Sequence, residues 1–116
     1  MAGKKIGVSR LGTVTHFALQ TATDGYGIKG VTILQMGGQP EEAAGLIRGS
    51  VDGAVLSPPY SFQLKKMGFN EVVSPGELSK FAEFITNGIV GRRSVAEKEK
   101  DTVIKIIKST AEAIKL

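Results

Sequence analysis

The sequence predicts an α/β fold: a three-layer sandwich of helices around a mostly parallel five-stranded sheet. Three observations predict it. From Lys4 to Gly68, β-prone runs alternate with stretches of helical spacing, the pattern of repeated βα units. Gly49 to Tyr60 reads Gly-Ser-Val-Asp-Gly-Ala-Val-Leu-Ser-Pro-Pro-Tyr, and its short apolar run Ala54-Val55-Leu56 has turn residues on both sides. Such a bounded run is a central strand of a parallel sheet. Finally, 116 residues that are 41% hydrophobic fit one compact domain with a core of its own.

Each element has a local reason. Lys4 to Ser9 alternates and carries β-formers, so it predicts the first strand. Arg10 to Thr13 is a turn, and Thr13 or Thr15 can cap the helix that follows. Val14, Phe17, Ala18 and Ala22 share one face of that helix, which runs to about Asp24 and ends at Gly25-Tyr26-Gly27. Val31 to Gln35 is the second strand, and Met36 to Pro40 is a loop. Glu41 and Glu42 then put negative charge in the first turn of a helix, where the dipole favours it. That helix continues to Arg48 and stops at Gly49.

The third strand covers 53–57. Proline is tolerated at a helix start, where its missing N–H would be unpaired anyway, so Ser57-Pro58-Pro59 joins this strand to a helix over 59–67. Asn70 to Ser74 predicts a short fourth strand, with a turn at Pro75-Gly76. The stretch from Glu77 to Phe84 fits either a short amphipathic turn or a loop. Ile85 to Gly91 predicts a fifth strand, weakened by its glycines. Ser94 can cap a final helix, on which Val103, Ile104, Ile107, Ala111 and Ile114 form an apolar face.

Composition excludes several classes. The formal charge is +4, but the basic residues are interleaved with acids, as in Glu97-Lys98-Glu99-Lys100-Asp101, so no nucleic-acid surface is indicated. There is no cysteine, hence no disulfide and no thiolate chemistry. No apolar run has the ~20 residues needed to span a bilayer, so no membrane insertion is expected. Met1 to Lys5 runs straight into a strand, without the pattern of a signal peptide.

Catalytic patterns are missing too. His16 is the single histidine, without partners to hold a metal. No nucleophile–base arrangement, dinucleotide fingerprint or phosphate loop is spelled, so neither an enzyme nor a cofactor is expected. What remains is a set of small polar residues where three strands end: Ser9, Arg10, Gly12 and Thr13, then Gly37, Gly38 and Gln39, then Ser57 and Tyr60. Backbone N–H groups and hydroxyls at such positions bind anions or polar groups without catalysis. Any one of them could be an ordinary cap or turn residue. Three such ends on one side of a sheet point to a site.

Gly3 to Ser9, Val31 to Gly38 and Gly49 to Tyr60 together resemble ABC-transporter substrate-binding proteins of the nitrate/sulfonate/taurine type, which are similar to the thiamine-precursor-binding group. The resemblance covers nearly the whole chain. It implies a protein of two α/β lobes that close around a small solute and deliver it to an ABC permease. It also implies a periplasmic or extracellular, lipoprotein-like setting for the full-length relative. This chain resembles one lobe, 1–84, followed by a returning segment, 85–116. The sheet order implied is 2-1-3-5-4, with strand 5 antiparallel and drawn from Ile85–Val90, within the chain or swapped in a homodimer. The last helix would then cover a sheet face.

The expected function is thus non-catalytic binding of a small anionic or polar solute, such as a sulfonate, nitrate or a pyrimidine-like compound. Ser9, Gly12, Thr13, Gly38 and Ser57 would act as hydrogen-bond donors, with Gly37 beside them in the binding site, Tyr60 as a flanking wall and Arg10 as a counter-ion. The alternative is a flavodoxin-like or effector-binding module that works by dimerising.

Overall fold

The computed structural model describes residues 3–83 and 88–115. Two compact units make up the chain, Met1–Phe84 and Ile85–Leu116. The first is α/β. Its strands are β1 (Lys5–Val8), β2 (Thr32–Gln35) and β3 (Gly53–Ala54), all parallel in the order β2-β1-β3. Its helices are α1 (Val14–Gly25), α2 (Gln39–Arg48), α3 (Tyr60–Lys66) and the short α4 (Pro75–Leu78). The second unit holds α5 (Arg93–Lys98) and α6 (Lys100–Lys115).

The central strand carries the core. Ile6 and Val8 of β1 are buried with Leu19 of α1, and Val31, Ile33 and Val55 pack against them. Both α1 and α2 pack on β1 but not on each other. That is what right-handed crossovers require when the chain first steps to one side of β1 and then to the other. The register sets Val8 opposite Gln35 and Gly7 opposite both Leu34 and Ala54. Ser9, Met36 and Val55 therefore leave the sheet together, at its carboxyl end.

The predicted five-stranded sheet is corrected to three parallel strands. The fourth strand, expected over Asn70–Ser74, does not form: the β-prone pair Val72-Val73 has no strand beside it among the described residues, and Val72 is 75% exposed. Ser74 instead caps α4. Its side chain accepts from the Glu77 N–H, while the Glu77 carboxylate accepts from the Ser74 N–H at 2.7 Å, a reciprocal capping box with Pro75 at the helix start. A Ser-Pro-Gly-Glu sequence reads better as this cap than as a strand end.

The antiparallel fifth strand has no support either. Ile85 to Asn87 lie outside the described residues, and Gly88 to Gly91 take no strand conformation. The third strand is shorter than expected, since pairing with β1 ends at Ala54, although the Val55 N–H still donates to the Gly7 carbonyl at 3.1 Å. The final helix is two helices, broken at Glu99 (φ −120°, ψ 48°), and no residue of α5 or α6 is buried. Arg92 rather than Ser94 occupies the capping position of α5.

Candidate functional site

Hydrogen bonds at the carboxyl end of the sheet join Ser9 to Thr13 and to Gly37, and Gln39 to Ser57. Gly37 donates its N–H to the Ser9 carbonyl at 2.9 Å, which ties the loop after β2 to the end of β1. The Gln35 side chain accepts from the Leu11 N–H at 3.1 Å, which holds the 10–12 turn over the end of β2. Gly12 (φ +80°) and Gly37 (φ +106°) take left-handed conformations that side chains disfavour, so each turn depends on its glycine.

Beneath this turn the hydroxyls of Ser9, Thr13 and Thr15 form a triangle. Ser9 Oγ lies 3.1 Å from Thr13 Oγ1 and 2.7 Å from Thr15 Oγ1, and the two threonine oxygens are 3.0 Å apart. The Ser9 N–H donates to Thr15 Oγ1 at 3.1 Å, and Thr13 Oγ1 donates to the Arg10 carbonyl at 2.6 Å. Thr13 thus holds the capping position of α1 without capping it: its side chain turns back onto the preceding loop. The Gly12 N–H donates to His16 Nδ1 at 3.0 Å, so the neutral imidazole carries its proton on Nε2.

The other group of contacts centres on Gln39 and Ser57. Gln39 follows β2 and Ser57 follows β3, so their contact arches across the end of β1, which lies between those strands. Gln39 Nε2 donates to Ser57 Oγ at 2.6 Å, and the Ser57 N–H donates to Gln39 Oε1 at 3.1 Å. Because the Ser57 N–H can only donate, it fixes which end of the Gln39 amide is the oxygen. Gly38 holds the capping position of α2 in extended conformation, and Tyr60 opens α3, half-buried, after the cis Pro58–Pro59 peptide. Arg10 is exposed, and its guanidinium is in no ion pair among the described residues.

One residue went unread in the sequence as a buried group. Glu42, expected as a first-turn charge favoured by the helix dipole, is fully buried with both carboxylate oxygens unpartnered among the described residues. Burial pushes its carboxyl up to about 7, with the neighbouring Glu41 charge adding to the rise. The signal for its inward position was Gly45, three residues on and also buried. A Cβ there would come within 2.7 Å of Met36 Cε and 3.2 Å of Ser50 Oγ, so this helix face is pressed against its neighbours.

No group of three His, Cys, Asp or Glu side chains suited to a metal occurs among the described residues. No described helix is long and apolar enough to cross a membrane. A surface concavity lined by Glu97 to Thr102 lies in the second unit at the α5–α6 junction. It is formed by six consecutive residues at a helix break and brings no distant groups together, so the strand ends of the first unit remain the better candidate. Comparison with protein-family models, with curated proteins and with solved structures finds no match to this chain.

Proposed function

We propose that the first unit is a non-catalytic solute-binding lobe whose site is the carboxyl end of its parallel sheet. The observation that carries this reading is convergence. Ser9, Gly37 and the Gln39–Ser57 pair come from three separate strand ends and are joined by hydrogen bonds across β1. This is where parallel α/β sheets hold small ligands. A lobe of the nitrate/sulfonate/taurine-binding kind would use such a wall for a small anionic or polar organic solute, facing a second lobe across a cleft. Amide NMR spectra of the chain, titrated with methanesulfonate, nitrate and neutral polar compounds, test it. Shifts confined to 9–15, 37–39 and 57–60 support the site, and a folded protein with none of them overturns it.

A second reading, an interaction module that works by dimerising, is favoured by the second unit. There Ile104, Ile107 and Ile114 of α6 are 48%, 58% and 81% exposed along one helix face. A monomeric mass across a concentration series in sedimentation would remove that reading.

A further inference from the structure

The Gln39–Ser57 contact has the form of a ligand contact made by the chain itself. A planar carboxamide offers its oxygen to a backbone N–H and its N–H to a hydroxyl, at 3.1 and 2.6 Å. Gln39 is the first residue of α2 and half-buried, while Ser57 is exposed beyond the end of β3. The side chain thus reaches from the end of β2 to the end of β3 and uses up the Ser57 N–H that a solute would need. The Ser57 hydroxyl, accepting from Gln39, keeps its own proton free for a second partner.

The hydroxyl triangle adds an independent constraint on what could enter. Its four oxygen contacts (three edges and the Thr13 bond to the Arg10 carbonyl) each require a hydroxyl proton, and three hydroxyls supply only three. Every proton can be committed inside the cluster, and lone pairs remain. A group that donates finds acceptors ready, whereas a group that only accepts must break an internal bond to obtain a proton.

On the reading that this sheet end is a binding site, we propose that Gln39 is its internal occupant, holding the place of a neutral solute with an amide-like edge. The solute class is a carboxamide or ureide, with a carbonyl acceptor beside an N–H donor. Binding requires the Gln39 side chain to swing off Ser57, so this residue sets both affinity and selectivity.

The test uses the full chain and its Gln39→Ala variant, followed by amide NMR and hydrogen exchange. Acetamide, urea, acetate and methanesulfonate serve as probes. Without probe, the Ser57 amide in Gln39→Ala shifts and loses its exchange protection. Acetamide or urea then returns the signal toward its original position, with a midpoint about tenfold lower than in the unaltered chain, the scale of one or two competing hydrogen bonds removed. Gln39→Met, which keeps the length of the stem, repeats the measurement should the alanine variant unfold. A Ser57 amide that does not respond to either substitution overturns the proposal. If acetate or methanesulfonate restores the signal as well as acetamide does, the amide-like solute falls while the binding site stands. If no probe shifts 9–15, 37–39 or 57 in any form, the binding reading falls and takes the proposal with it.

Discussion

The ring of Phe81 lies directly over the Cα of Gly25, so close that a Cβ at Gly25 would come within 2.5 Å of Phe81 Cγ. The neighbouring Tyr26 ring meets the same phenylalanine edge-on, with centroids 4.9 Å apart and planes at 72°. The end of α1 is thereby joined to the segment after α4, and the glycine is a packing requirement as well as a helix terminus.

Gly25→Ala is accordingly expected to destabilise the first unit. Alanine should favour the helix by up to ~1 kcal/mol, but displacing a ring that is held from two sides costs about 1–3 kcal/mol. Urea denaturation should show a net loss, and Gly25→Ala combined with Phe81→Ala should show less than the sum of the two single effects. Additive losses would mean that the ring and the glycine do not constrain each other.

Stability of the first unit should fall as pH rises from about 4.5 to about 7 and level off above that. The folded Glu42 carboxyl titrates near 7 against an ordinary 4.5, so between these values the folded state binds the proton that the unfolded state has released. Its contribution is fully present below about 4.5 and is lost as pH rises through 7, on the order of 3 kcal/mol in all. Denaturation midpoints measured from about pH 5 to about pH 8 should decline, and Glu42→Gln should flatten that decline. A profile unchanged by the substitution would assign the pH dependence to another group.

Ser74→Ala should melt α4 selectively, because the hydroxyl and the Glu77 carboxylate satisfy each other's backbone donors. Loss of the cap costs about 1 kcal/mol. The hydrogen bonds to the Ser74 backbone and side chain hold the Glu77 carboxyl below its ordinary range, so the cap is present at neutral pH and lost as pH falls through that lowered value. Carboxyl NMR titration of Glu77 should show it moving back up in Ser74→Ala.

The Asp52 carboxylate accepts from the Lys5 N–H at 2.8 Å, just before the two-residue pairing of β1 with β3. Asp52→Ala should hand that exposed N–H to water and cost up to about 1 kcal/mol. Faster hydrogen exchange at Lys5 and at the β3 amides, with the β2 side of the sheet unchanged, would confirm a local loosening.

The parts of the fold legible in the sequence were those set by local chemistry. Val31 to Gln35 is strongly β-prone, and Val14, Ala18 and Ala22 keep helical spacing, so β2 and α1 followed within a residue or two. The fourth strand was misread because Val72-Val73 outweighed the capping sequence immediately after it. Strand formation needs a neighbour, which no propensity reveals. At the site, the clustering of strand ends followed from alternation alone. The Gln39–Ser57 bond did not, because it joins residues 18 apart in sequence through a side chain that also suits any helix start. Glu42 was hidden for a related reason: a glutamate in a first helical turn normally faces water, and only the packing around Gly45 shows that this one cannot.

A three-stranded order of β2-β1-β3 also governs the sequence of events as the chain is synthesised. Among the described strands β1 comes before the other two and is the one with two neighbours, and it can pair with neither until 27 and then 47 further residues have followed, as the registers Lys5 with Thr32 and Ile6 with Gly53 require. During that interval Ile6 and Val8, later the most enclosed part of the sheet, lie open to other chains and to chaperones. The centre of this sheet is therefore left uncovered until β3 follows, and the slow step in forming it should be this long-range closure rather than the formation of any helix.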